Sequence, residues 1–276
     1  MRPGRFIYNF AKDLSAKWST IFTNKYSKAG ISWAVLKQLR ATSDSYENSF
    51  VFQGHPFFYS NSNEVLHAVD EIFLQQLYKS DIQTETPFII DCGAHIGMSV
   101  LYFKTCFPKA EVLAFEPDPK NFAFLKKNVA SYHLENVSLL QEAVWKEDGM
   151  ISFNTEGSMS SKIEGTAKST EASVKATRLK NHIKRKVDFL KIDIEGAEFF
   201  VLQDIESDLH FVDRLFLEYH GSFLQNAELI TILNILLRNN FKFYIKEANP
   251  SYITPLSRQA NIPEYDVQLN IFAFKD

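Results

Sequence analysis

The chain has 276 residues, 45% hydrophobic and 23% charged, a composition that suits a folded globular protein and excludes a disordered one. Its two cysteines, Cys92 and Cys106, cannot build a disulfide scaffold, and with no signal-peptide pattern the expected setting is the reducing cytoplasm. No run reaches the roughly 18–20 apolar residues of a spanning helix, and the net charge of −3 hides an asymmetry.

Residues 1–40 carry Arg2, Arg5, Lys12, Lys17, Lys25, Lys28, Lys37 and Arg40 against Asp13 alone. The remainder is net acidic at about −10, which argues against a nucleic-acid partner for it. Residues 6–22 set Phe6, Phe10, Leu14, Trp18, Ile21 and Phe22 near one helical face beside the basic residues. That pattern fits peripheral contact with the inner face of a membrane, or core packing, a homo-oligomer contact or a substrate cap. A second apolar segment follows Gly30. Phe50–Tyr59 alternates around Gly54-His55 as a short hairpin. Asn63 is the expected N-cap of a helix through about Tyr78. Residues 1–80 are thus expected to form a helical and hairpin extension, and residues 81–276 the main domain.

From Pro87 the rhythm becomes strand, turn, helix. Strands are predicted at Phe88–Asp91, Glu111–Glu116, Val137–Val144, Asp188–Asp193, Arg214–Tyr219, Phe241–Lys246 and Val267–Phe274. Helices are predicted at Met98–Cys106, Pro119–Tyr132, Ala197–Ile205 and Ala227–Asn239. Short apolar runs such as Phe88-Ile89-Ile90 suit strands covered on both faces. The alternation predicts an α/β, Rossmann-like fold with a seven-stranded, mostly parallel sheet. Only a Pro-containing loop separates the last two strands, so a hairpin would put an antiparallel last strand at the sheet's end.

The first site is Asp91-Cys92-Gly93-Ala94-His95-Ile96-Gly97, between a strand and a helix. Gly93 permits a tight turn and close backbone approach to a ligand, and Gly97 close helix–strand packing. A dinucleotide fingerprint needs glycines where His95 and Met98 stand. Asp91 would repel a pyrophosphate, whereas a cationic sulfonium cofactor with an amino-acid tail suits an acidic strand end. An NAD-dependent oxidoreductase or epimerase is the rival reading, and a non-catalytic cofactor-binding adaptor a third. Phe115-Glu116-Pro117 ends the next strand, 23 positions after Gly93, where an acid can accept from both ribose hydroxyls. Gln141-Glu142-Ala143 could place Gln141 or Glu142 against an adenine amino group. The segment Asp188–Glu198 and Leu217-Glu218-Tyr219-His220 bring Asp193, Glu195, Glu218 and His220 to strand ends expected to share a cleft. Gly157-Ser158-Met159-Ser160-Ser161 reads as a surface loop or as a lid over the site.

The motifs D-C-G-A-H-I-G, F-E-P, F-L-K-I-D-I-E-G-A-E and L-E-Y-H, running from about Phe88 to His220, resemble the FkbM family of S-adenosylmethionine-dependent methyltransferases. K-I-D-I-E-G-A-E is the most specific piece. Leu179 is followed by Lys180, where the family often has an acid. The resemblance implies a class I methyltransferase fold, S-adenosylmethionine as cofactor, and methylation of a hydroxyl on a sugar, glycolipid, polysaccharide or polyketide. The acceptor oxygen must then lie about 3 Å from the methyl carbon, in line. His220 is the first candidate for general base, as a neutral imidazole, and Asp193 the second, as base or orienter. Lys191 could polarise the acceptor. Transfer without a metal is the favoured expectation, with a divalent metal held by Asp193 and Glu218 as the alternative.

Overall fold

The structure, a computed structural model, describes residues 24–43, 47–154, 171–252, 254–257 and 265–275. The basic amphipathic segment at 6–22 and the polar stretch Gly157–Ser161 lie outside the described residues. The chain divides into two compact units, residues 1–77 and 78–276.

In the first unit, α1 (Trp33–Ala41) starts at Ser32, whose hydroxyl accepts the Val35 N–H. Strands β1 (Asn48–Phe52) and β2 (His55–Tyr59) form the expected hairpin, with Phe52 opposite His55. The turn centres one residue earlier than expected, on Gln53-Gly54. Both have positive φ (48° and 90°), the geometry that matches the twist of the flanking strands. The alternation turns Phe50, Phe52, Phe57 and Tyr59 to the buried side, where Phe52 meets Phe73 at 5.0 Å.

The next helix departs from expectation. Asn61, not Asn63, is the N-cap, accepting the Asn63 and Glu64 N–H groups at 2.8 and 3.2 Å. α2 (Ser62–Ala68) then widens into a π-helical turn, Val69–Leu74, and stops short of Tyr78. Asp70 in that turn is ion-paired with Lys25 at 2.7 Å.

The second unit is built on a seven-stranded sheet. Its strands in chain order are β3 (Phe88–Cys92), β4 (Glu111–Phe115), β5 (Val137–Leu140), β9 (Phe189–Ile192), β10 (Arg214–Gly221), β11 (Lys242–Glu247) and β12 (Val267–Phe274). In space the order is β11-β12-β10-β9-β3-β4-β5. β12 is antiparallel to both its neighbours. The antiparallel last strand therefore slots between β10 and β11 and leaves β11 at the edge. Every residue of β3 and β9 is buried, which fits near-continuous apolar runs in a parallel sheet covered on both faces. Each large aliphatic side chain among them contributes about 1.5–3 kcal/mol by leaving water.

The helices of this unit are α3 (Met98–Cys106), α4 (Pro119–Ser131), α5 (Glu198–Asp204) and α6 (Asn226–Arg238). α4 begins with Asp118 accepting the Asn121 N–H at 2.7 Å and with Pro119 at its first position, where the missing N–H costs nothing. Below the site, Tyr78 stacks on Phe103 and meets Phe189 and Phe216 edge-on.

The predicted strand Val137–Val144 is two strands. After β5 the chain leaves the main sheet and forms β6 (Ala143–Trp145), which pairs with β8 (Glu171–Arg178) beside β7 (Gly149–Asn154). Arg178 of β8 is paired with Asp204 at the end of α5, and Trp145 meets Phe200 at 5.5 Å. Among the described residues, no helix is long and apolar enough to cross a membrane.

Candidate functional site

From β3 the chain runs out through β4 and β5, then returns to lay β9 and β10 on the other side of β3. The switch point lies between β3 and β9, and the carboxyl ends of the parallel strands there form the place where open α/β sheets take ligands. Asp91 and Gly93 come from one side of it and Asp193 from the other.

The loop after β3 is pinned to β4. Gly93 and Ala94 both donate their N–H groups to the Phe115 carbonyl, at 3.0 and 2.9 Å. His95 N–H donates to Glu116 Oε2 at 2.8 Å, and Gly97 N–H to the Ala94 carbonyl at 2.8 Å. These four donors are engaged inside the protein, an arrangement that suits a pyrophosphate poorly. Asn128 of α4 fixes the loop from behind, donating its amide to the Ile96 carbonyl at 2.7 Å.

The two glycines are also constrained by neighbours within the protein. A Cβ on Gly93, whose φ is +89°, would lie 1.8 Å from the Asp193 carbonyl oxygen. The close approach is therefore to the end of β9, with Asp193 N–H donating to the Cys92 carbonyl at 3.1 Å. A Cβ on Gly97 would lie 2.7 Å from Leu125 of α4, so this glycine serves helix packing, not helix–strand packing. Gly93→Ala should cost at least about 2 kcal/mol, because it adds left-handed strain to a backbone overlap. Urea unfolding checks this; a loss below about 0.5 kcal/mol would show that the β3 and β9 ends can part freely.

Glu116 is buried at the end of β4. Its Oε1 accepts the Asp118 N–H at 2.9 Å, so two backbone donors fix the carboxylate. Burial outweighs those donors and pushes its pKa up to about 7. Pro117 follows it, half-buried, and leads into the Asp118 cap. Gln141 is exposed beyond β5; Glu142 is paired with Lys175 of β8 at 2.5 Å, and Ala143 is buried at the start of β6.

Lys191 is held inside the strand ends. It is 2% exposed and its ammonium donates to the Gly93 carbonyl at 2.8 Å, with Asp91 Oδ1 and Asp193 Oδ2 each at 3.2 Å. Asp91, wholly buried, also accepts from Ser99 Oγ at 2.5 Å. Burial alone would favour the neutral amine, but the charges of Asp193 and Asp91 hold the Lys191 pKa well above its ordinary value. One cation thus ties the strand-end acids and the glycine turn together.

His220, near the end of β10, is 7% exposed. Its Nδ1 lies 3.2 Å from Glu198 Oε1, and its Nε2 lies 3.5 Å from Glu218 and 3.6 Å from Glu195. Glu198 opens α5 and was missed as a site residue. Its carboxylate accepts the Ile194 and Gly196 N–H groups at 3.0–3.1 Å, and so reaches back under the strand end. The available signal was an acid in the first helical turn just after Gly196. Burial would strip the His220 proton, yet the hydrogen bond to Glu198 and the nearby carboxylates of Glu218 and Glu195 push its pKa up to about 12. That direction runs against the neutral imidazole expected of a general base. Tyr265 closes the rim, its hydroxyl donating to the Glu195 carbonyl at 3.1 Å and its ring 4.9 Å from the imidazole. Ligand-type atoms of Asp193, Glu195 and His220 all lie within 4.8 Å of one another.

The model of the Methyltransferase FkbM domain matches residues 91–243, more than half of the chain and every site residue described above except Tyr265. The chain is 27% identical over 171 residues to Methyltransferase 1 of Beauveria bassiana, covering 52% of this chain and 68% of that one. It is 23% identical over 175 residues to the 2-O-methyltransferase NoeI of Sinorhizobium fredii, covering 54% and 69%. A solved structure of methyltransferase FkbM from Methylobacillus flagellatus aligns with a TM-score of 0.49 at 17% identity, over 74% of this chain and 47% of that chain. The Rossmann-like sheet, with its reversed strand inserted beside the edge, is the class I methyltransferase fold. The chain belongs to the FkbM methyltransferase family.

Proposed function

We propose that this protein transfers a methyl group from S-adenosylmethionine to a hydroxyl oxygen of a sugar, glycolipid or polyketide-like acceptor. The observation that carries the proposal is the junction at Gly93. One side of that turn is pinned to Glu116, and the other is closed against Asp193 and clamped by Lys191. A cofactor held by Glu116 through its ribose would have its reacting end toward the acids of β9 and β10. The relative named as a 2-O-methyltransferase supports oxygen as the atom methylated.

When bound, S-adenosylmethionine supplies an electrophilic methyl group on a sulfonium. The loop Gly93, Ala94, His95 and Gly97, with Glu116 and Pro117, would hold it, and Gln141, Glu142 and Ala143 would flank its base. Asp193 and Glu218 orient the acceptor hydroxyl and receive its proton, Asp193 being the first candidate because His220 already carries one. Lys191 acts through others: it fixes Asp193 and the turn in one arrangement, the alignment that displacement in line requires.

Transfer of labelled methyl from the cofactor onto glycan, glycolipid and small-molecule fractions tests the proposal. Label recovered as an O-methyl ether is the expected result, and label recovered only on nitrogen, carbon or nucleic acid would overturn it. Glu116→Ala should weaken cofactor binding more than tenfold, since a charge-assisted contact is worth about 1.5–3 kcal/mol. Ribose hydroxyls donate to an ionised carboxylate, and Glu116 in the free protein ionises near 7. Affinity should therefore rise as pH increases from 6 to 8, and Glu116→Gln should flatten that rise. Calorimetric titration across this range checks both; a pH-independent wild type would remove Glu116 from the ribose.

A further inference from the structure

We propose that Asp193, Glu195 and His220 form a binding site for a divalent cation of the Mn²⁺ or Mg²⁺ type, beside the acceptor. The inference deepens the proposed function and rests on it only for what the cation does, not for whether it binds. Three features of the site point the same way.

The first is the set of ligand atoms. A carboxylate from the end of β9, one from the turn after it and an imidazole from β10 present atoms within 4.8 Å of one another. The Nε2 separations of 3.5 and 3.6 Å from Glu218 and Glu195 are too long for strong hydrogen bonds. Neighbouring ligands about a cation with bonds of roughly 2.1–2.2 Å stand about 3 Å apart, so a small inward closure would complete the shell.

The second is how the ring is held. A metal-binding histidine characteristically gives its other nitrogen to a carboxylate, which fixes the ring and raises its basicity. Here Nδ1 faces Glu198, whose side chain is 1% exposed and is itself anchored by two backbone N–H groups. That leaves Nε2 directed at the oxygens of Glu195 and Glu218, where a cation would take the place of its proton. The third is Asn270 on β12, 2% exposed, which sits directly across the ladder from Glu218 on the same face of the sheet. Among the described residues its buried carboxamide oxygen has no hydrogen-bond donor. A cation or the water it carries would satisfy it.

One imidazole among carboxylate oxygens favours Mn²⁺ over Mg²⁺ in affinity, while the oxygen-rich set suits either. A cation there would lower the acidity threshold of an acceptor hydroxyl and fix its direction, consistent with the lone-pair alignment that transfer needs. This site differs in its ligands Glu195 and His220 from the Asp193–Glu218 pair that the sequence offered as the alternative to transfer without a metal.

The test is Mn²⁺ titration of the full-length protein without cofactor, read as loss of the free-ion paramagnetic resonance signal. One saturable site is expected, with Mg²⁺ competing. Glu195→Gln is the primary variant, because its side chain is 51% exposed and its loss should not unfold the chain. It should weaken Mn²⁺ at least tenfold, while Glu85→Gln, an exposed acid elsewhere, should leave it within twofold. Absence of saturable binding at millimolar Mn²⁺ would overturn the proposal, as would equal losses in the two variants. Labelled-methyl transfer, with Mn²⁺ and with chelator, is run alongside. Transfer by a protein that binds no Mn²⁺ would refute the cation site alone, and Mn²⁺ binding with no transfer even when Mn²⁺ is supplied would refute the methylation proposal alone.

Discussion

Lys191→Met should destabilise the second unit by about 3–5 kcal/mol, the cost of leaving a buried charge without its partner. Asp91 is wholly buried, and with Lys191 gone its remaining named donor is the Ser99 hydroxyl. Methionine matches the lysine stem in length but offers nothing to Asp91, Asp193 or the Gly93 carbonyl. For a unit of this size each kcal/mol moves Tm by about 2–4 °C, so thermal unfolding should fall by roughly 6–20 °C. The sign with pH follows from the direction of the lysine shift. Its folded pKa lies well above 10.5, so the stabilisation is fully present below 10.5 and is lost only as pH climbs through the raised value. Working at neutral pH therefore measures the whole effect. Lys191→Met combined with Asp91→Asn should recover part of the loss, because the double variant no longer buries an orphaned carboxylate. A single-variant loss under about 1 kcal/mol would mean that Asp91 finds water or a proton without strain, and would demote Lys191 from clamp to filler.

The sheet was legible because its strands carry their own punctuation. Phe88-Ile89-Ile90 and Phe189-Leu190-Lys191-Ile192 are short apolar runs closed by an acid, and only a strand buried on both faces needs that pattern. What stayed hidden depended on contacts across the chain. Gly93 looked like a ligand-approach glycine, and only the fold reveals that Asp193 lies where its side chain would be. Lys191 alternates with Asp193 on one strand, but the sequence does not say that Asp91 of β3 stands beside it. The break after Leu140 was unreadable because Ala143-Val144-Trp145 continues the apolar pattern while changing sheets. The π-helical turn at Val69–Leu74 leaves the hydrophobic spacing unaltered enough to read as ordinary helix. Glu198 and His220 are 22 residues apart and meet only because the start of α5 returns beside the end of β10.

That last contact supports the largest expected effect on turnover. His220→Ala should lower kcat by about 10²-fold or more, through loss of the proposed cation ligand, while the cofactor dissociation constant stays within about threefold. The ring lies among Glu195, Glu198 and Glu218 at the β10 end, whereas Glu116, proposed to hold the ribose, follows β4 on the far side of β3. Removing the ring takes away the imidazole that lies among these carboxylates, and with it the Nε2 that Glu198 holds toward Glu195 and Glu218. It also leaves Glu198 buried with only its two backbone donors, so the alanine variant must be shown to fold, by its circular dichroism and by cofactor binding. Glu198→Gln supplies the complementary measurement. Glutamine still reaches Nδ1 but carries no charge, so it should loosen the ring without deleting it, lowering kcat by about 10–100-fold with little change in acceptor KM. A smaller loss for Glu198→Gln than for His220→Ala is what a positioning residue behind a reacting-site group should give. Equal and small losses, both under tenfold in folded protein, would mean that the imidazole merely closes the strand end and adds nothing to the Asp193 and Glu218 carboxylates proposed to orient the acceptor.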